Sequence, residues 1–170
     1  MFRLIYNNTR VLSTTAAVKF YIANMVIALE HMHSKDIAYR NLKPENVLLH
    51  ANGYLVLVGL GLAKKIPYIC PGEELKYFKS FTICGTAEYL APEMVLGSGH
   101  DQAVDLWALG VVVFEMIHRR TPFQTGDDIN VDEVMAAIAA SAVDIRLFDA
   151  ISLIFQDIRS AVTETSVREL

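Results

Sequence analysis

Cysteine is scarce in this chain: Cys70 and Cys84 are the two among 170 residues. Small secreted domains held by disulfides carry many more, so both are expected as reduced thiols. The N-terminal run Met1-Phe2-Arg3-Leu4-Ile5-Tyr6-Asn7-Asn8 lacks the charged region and long apolar stretch of a secretory leader. Long apolar runs are missing elsewhere too. Tyr54 to Ala63 is too short to cross a bilayer, and Val104 to Ile117 is interrupted by Asp105 and Glu115. Basic blocks are absent beyond the pairs Lys64-Lys65 and Arg119-Arg120, and the net charge is −4. That argues against a nucleic-acid surface. No internal repeat, low-complexity segment or linker divides the sequence. These absences leave one soluble, cytoplasmic domain as the expectation, with neither membrane nor nucleic acid as a partner.

What is present is apolar. Hydrophobic residues make up 53% and charged residues 20%, enough to bury a real core. Val18, Ile22, Met25, Leu29 and Met32 recur at three- and four-residue steps, which predicts a helix from about Thr14 to Ser34 with Ser13 as N-cap. Val47-Leu48-Leu49 and Leu55-Val56-Leu57-Val58 flank Asn52-Gly53, the signal of a two-residue hairpin turn. Gly59 to Gly85 has weak periodicity and reads as an irregular loop. Pro92 suits the first turn of a short helix over Glu93 to Leu96. Gln102 to His118 is apolar almost all round and reads as a central buried helix. Val131 to Ala142 and Leu147 to Val162 read as two more. The sum is a mainly α fold with one small β-hairpin beside a polar loop.

That loop is Tyr39-Arg40-Asn41-Leu42-Lys43-Pro44-Glu45-Asn46. Three further blocks follow it: Gly59-Leu60-Gly61-Leu62-Ala63-Lys64, then Thr82-Ile83-Cys84-Gly85-Thr86-Ala87-Glu88-Tyr89-Leu90-Ala91-Pro92-Glu93, then Asp105-Leu106-Trp107-Ala108-Leu109-Gly110. In order and spacing the four resemble the catalytic loop H-R-D-L-x-x-x-N, the D-F-G stretch, the activation segment and the helix beyond it in eukaryotic protein kinases. The resemblance is to the C-terminal (large) lobe of that fold, within the AGC group and nearest its cyclic-nucleotide-dependent serine/threonine kinases. It is close from about Ser13 to Phe123 and looser afterwards. Residues 1–170 are therefore expected to form a single partial kinase-like domain, with the N-terminal lobe absent. Nothing before Ser13 could supply a glycine-rich loop, a strand lysine or a pairing glutamate.

The resemblance implies roles residue by residue. Asn41 stands where the family has the aspartate that accepts the substrate hydroxyl proton. Lys43 matches the lysine at the transferred phosphate, and Glu45, Asn46 and Leu48 match positions at the nucleotide. Asn46 is also the second metal ligand, while Gly59 replaces the aspartate that is the first. Thr82 matches the phosphorylated activation-loop threonine, with Arg40 and Lys64 as its cationic grips. Glu45, Glu88 and Glu115 resemble the acidic cluster that selects arginines before the target residue. Asp105 implies a structural acceptor for catalytic-loop N–H groups, and Glu93 a pairing with a late arginine, here Arg168. Val112 and Met116, with Leu48, match positions beneath the adenine ring. Plainer readings stay open beside these: a loop asparagine, a solvated lysine, a bare threonine hydroxyl, surface acids and ordinary core.

The departures decide the expected function. A carboxamide is neutral and has no basic site near pH 7, so Asn41 cannot take up the proton. Glycine offers a metal nothing. A general base contributes about 10²–10⁴-fold and metal stabilisation several kcal/mol more. Leu60 for Phe and Ala87 for Pro are milder changes. The expectation is a catalytically inactive, pseudokinase-type binding module that holds neither ATP nor magnesium well. Its expected partner is a protein or basic peptide, with association also invited by the face that the missing lobe leaves bare. The alternative is a piece or variant of an active ATP-dependent kinase acting on Ser/Thr after basic residues.

Overall fold

The computed structural model describes residues 1–7, 12, 14–67, 78–124 and 129–141. Cys70, Arg168 and the helix expected over Leu147 to Val162 lie outside the described residues, as does Ser13. Five helices are described. They are α1 (Phe2–Tyr6), α2 (Thr15–His33), α3 (Pro92–Val95), α4 (Ala103–His118) and α5 (Val131–Ser141). Four short strands form two separate two-stranded antiparallel sheets: β1 (Ile37–Ala38) with β4 (Lys64–Lys65), and β2 (Val47–Leu49) with β3 (Leu55–Leu57). The fold is a mainly α, kinase-like lobe, as the sequence implied.

Local chemistry explains most boundaries. The α2 helix begins at Thr15, with Thr14 as its cap. The Thr14 backbone is extended, and its Oγ1 accepts from the Ala17 N–H at 3.2 Å. One stripe of α2 is buried, at Tyr21, Ile22, Met25 and Leu29. Most of the α4 helix from Val104 to Met116 is buried, Asp105 and Glu115 included, while Leu106 faces solvent. It stops where Arg119 turns left-handed at φ 59°. Pro92 opens α3, where its missing N–H is no loss.

Two expectations about the strands need correction. The β2–β3 register pairs Val47 with Leu57 and Leu49 with Leu55, so the connection is the five residues 50–54 and not Asn52-Gly53 alone. His50 N–H bonds the Tyr54 carbonyl and Gly53 N–H bonds the His50 carbonyl, closing a longer loop. Gly59 to Gly85 is not wholly irregular either, since Lys64 and Lys65 pair with Ala38 and Ile37.

The main core lies between α2 and α4. It takes in Ile22, Met25, Leu29, Leu109, Val112 and Met116 with Tyr39, Leu42 and Val47 from the connecting segments. From α5 come Val134 and Ile138. A second cluster, Leu90, Ala91, Met94 and Val104, seats α3 against the start of α4. Val112 is 0% and Met116 4% exposed, whereas Leu48 is 49% exposed. The three residues matched to the adenine floor are therefore split between core and surface.

Candidate active site

The loop after β1 is shaped from beneath by one carboxylate. Asp105, fully buried on α4, accepts the Tyr39 N–H at 2.8 Å on Oδ2 and the Arg40 N–H at 2.7 Å on Oδ1. His33 Nε2, at the end of α2, lies 2.8 Å from the same Oδ2. A buried carboxylate needs such partners, and three of them converge here. They hold Arg40 at φ 61°, a left-handed conformation that a long side chain adopts only under constraint. The implied structural role of Asp105 thus has a geometric basis. Tyr39 adds a second tie, its hydroxyl donating to the Val58 carbonyl. Burial, and then the Asp105 charge, push that hydroxyl's pKa up to about 12.

Beside this frame sit the positions matched to two aspartates and an asparagine of the family. Asn41 Nδ2 donates to the Gly59 carbonyl at 2.9 Å, and Asn46 Nδ2 donates to the Asn41 carbonyl at 2.8 Å. Val58 N–H bonds the Asn46 carbonyl at 2.9 Å. The sequence positions 41, 46 and 59 are thus brought together. What they form is a ring of neutral amides. Gly59 has φ 73°, and a Cβ built on it would lie 3.1 Å from Asn46 Oδ1 and 3.2 Å from Asn41 Nδ2. The backbone already favours glycine there, and the space beside it is filled by the two carboxamides.

The family's magnesium sets the donor requirement for these positions. In the family that ion is held by an aspartate carboxylate, the asparagine matched by Asn46 and phosphate oxygens, and the aspartate is the ligand missing at Gly59. Here the side-chain oxygens at the three positions are carboxamide Oδ1 atoms of Asn41 and Asn46. Among the described residues no cluster of three or more His, Cys, Asp or Glu could hold a metal. The residues present do not fit a phosphate-bridging magnesium. Lys43 is turned to Thr86, its Nζ donating to Oγ1 at 2.8 Å.

The cationic grip is present but holds a different residue. Arg40 Nη1 and Lys64 Nζ each donate to Ser80 Oγ at 3.1 Å, while Arg40 Nε donates to the Leu62 carbonyl at 2.9 Å. Ser80 is 1% exposed and its backbone bridges His100 in both directions. Thr82 is exposed and, among the described residues, bonds neither cation. Burial first, then Arg40 and Lys64, hold His100 below its ordinary pKa. The Ser80–His100 bridge was invisible in sequence, since no periodicity links a loop serine to a histidine 20 residues on.

The three glutamates do share one field. Glu115 on α4 is 2% exposed, Glu88 is half-buried and Glu45 is exposed. Burial is the main reason the Glu115 carboxyl is raised above its ordinary pKa, with Glu45 and Glu88 adding to it. Glu115 accepts the Tyr6 hydroxyl on Oε1 and the Tyr89 hydroxyl on Oε2, each at 2.7 Å. Glu88 accepts the Thr121 hydroxyl at 2.7 Å. Tyr6 was not singled out in the sequence, because α1 is too short to show a period. Glu93 lies half-buried in the first turn of α3, and its expected partner Arg168 is outside the described residues.

The family model for the protein kinase domain matches residues 1–166. The chain belongs to the protein kinase domain family. It is 49% identical over 109 residues to the cGMP-dependent protein kinase egl-4 of Caenorhabditis briggsae, covering 64% of this chain and 14% of that protein. It is 44% identical over 123 residues to the human cAMP-dependent protein kinase catalytic subunit PRKX, covering 72% of this chain and 31% of that one. A putative ribosomal protein S6 kinase alpha-1 of Caenorhabditis elegans is 45% identical over 117 residues, covering 69% of this chain and 14% of the relative. All three relatives are AGC kinases, so the group read from the four motifs stands. The chain spans less than a third of the length of each of these kinases. No described helix is long and apolar enough to cross a membrane.

Proposed function

We propose that this chain is a serine/threonine kinase-like lobe that does not transfer phosphate and instead docks a basic segment of a protein partner in the cytoplasm. The observation that carries the reading is the amide ring at Asn41, Asn46 and Gly59. Where a carboxylate would accept a proton, Asn41 presents an N–H group already spent on the Gly59 carbonyl. Where a second carboxylate would hold metal, Gly59 presents none. The acidic trio of Glu45, Glu88 and Glu115 supports a guest rich in arginine, whose planar guanidinium pairs with carboxylates. Thr82 stands as the proposed modification site, with Arg40 and Lys64 held two residues away at Ser80.

A thermal-shift titration with magnesium and ATP tests the first half. A ligand that binds only the folded state raises the midpoint, so a flat response is expected. A saturable rise refutes the loss of nucleotide binding. The second half is tested by retention on arginine-rich peptide, where Glu115→Ala should release the protein. Equal retention of both proteins ends the docking idea.

The relatives favour one further reading, a piece or variant of an active ATP-dependent kinase acting on Ser/Thr after basic residues. Asp105, Lys43 and Asn46, which match the family's residues at those positions, support it. It requires radiolabel transfer to a basic peptide at about 1–100 per second, the family's ordinary rate.

A further inference from the structure

Glu115 is a poor place to leave a carboxylate. It is 2% exposed, lies in the field of two other glutamates, and among the described residues pairs with no cation. Its two oxygens are met by phenol hydroxyls of unequal standing. Tyr89 is 8% exposed and belongs to the main core, so its bond to Oε2 is fixed. Tyr6 is 38% exposed and sits at the end of the five-residue helix α1, its ring resting on Phe2 with centroids 4.7 Å apart. The bond it makes to Oε1 is the one that can be given up at little loss of packing.

We propose that Tyr6 is a removable plug on the Glu115 carboxylate. Building on the docking of a basic segment proposed above, an arginine side chain must displace the Tyr6 hydroxyl to reach Oε1. Rotation of the Tyr6 ring away from α4 opens the carboxylate, while the Tyr89 bond keeps the glutamate in place. The exchange favours arginine over lysine. A guanidinium makes two parallel charge-assisted bonds, whereas an ammonium replaces one hydroxyl donor by one N–H donor. Glu45 and Glu88 add attraction that a neutral phenol does not feel. Tyr6 thus sets both the affinity of the site and its discrimination between the two cations.

Fluorescence anisotropy on the full chain tests this, using a labelled arginine-rich decapeptide and its lysine counterpart. Tyr6→Phe removes the hydroxyl and keeps the ring on Phe2. It should tighten the arginine peptide by about tenfold, the worth of a hydrogen bond to a charged group, and the lysine peptide by less. Adding Glu115→Gln should abolish the gain. Equal affinity of wild type and Tyr6→Phe overturns the plug and leaves docking standing. No binding to wild type or to Tyr6→Phe overturns both. Tightening that survives Glu115→Gln places the arginine elsewhere and also overturns the plug. Tyr6→Leu, checked by its thermal transition, repeats the comparison if Tyr6→Phe does not fold.

Discussion

A carboxyl group that is 2% exposed has few ways to keep its charge, and the two phenols bonded to Glu115 are among them. The pKa of Glu115 is raised above its ordinary 4.5, chiefly by burial, with Glu45 and Glu88 acting in the same sense and the two tyrosine bonds opposing. The sign of the consequence follows from proton linkage. The folded state binds this proton more readily than the unfolded chain does, so the group favours folding below about pH 4.5 and loses that contribution as pH rises through the raised value. Glu115→Gln keeps a similar shape and no titration. Its thermal midpoint, taken relative to wild type, should stand highest near pH 7 and fall as pH is lowered to 4. A difference that is flat with pH removes the argument that burial burdens this carboxylate. Little of this could be read in the sequence. An acid in an apolar helix announced its burial, but which hydroxyls met it depended on α1 and on the turn before α3.

Among the elements, α4 and the loop after β1 are joined most tightly through Asp105. Asp105→Asn would turn one acceptor into a donor facing the Tyr39 or Arg40 N–H or the His33 ring. Each buried N–H left unsatisfied costs about 1–3 kcal/mol, so a loss in that range or above is expected in urea unfolding. A loss below about 0.5 kcal/mol means the loop is held by other ties. Here the sequence was more legible. An aspartate interrupting a helix apolar almost all round had to find donors, and the matched motif pointed to the right loop. His33 was missed because the end of α2 carried no signal that distinguished it from His31. The activation segment was read less well. Thr82 was favoured by its motif, yet Arg40 and Lys64 close on Ser80, whose backbone is bridged to His100.

At the scale of the molecule, α4 is the axle around which the other elements are laid. Leu109 is fully buried within it, and truncation to Ala should cost about 2–5 kcal/mol in urea unfolding. Leu106, three residues earlier and 49% exposed, should change by no more than about 0.5 kcal/mol when truncated the same way. Similar losses at both sites would mean that the solvent-facing side of α4 is covered. The mainly α architecture and the axle were legible because 16 helical residues with hardly a polar side have nowhere to lie except inside. Of the short sheets, the β2–β3 hairpin was legible from its two apolar runs around Asn52-Gly53, whereas the two-residue pair β1–β4 is set by pairing across the loop and not by its own pattern.

The bonds that end on Asp105 come from main-chain N–H groups and a histidine, and none of them touches the side chain at position 41 or 59. The outline of the pocket and the reagents within it are therefore specified by separate letters of the sequence. A copy of this scaffold can lose its chemistry and keep its silhouette, and outward likeness alone is no measure of whether a given member can react.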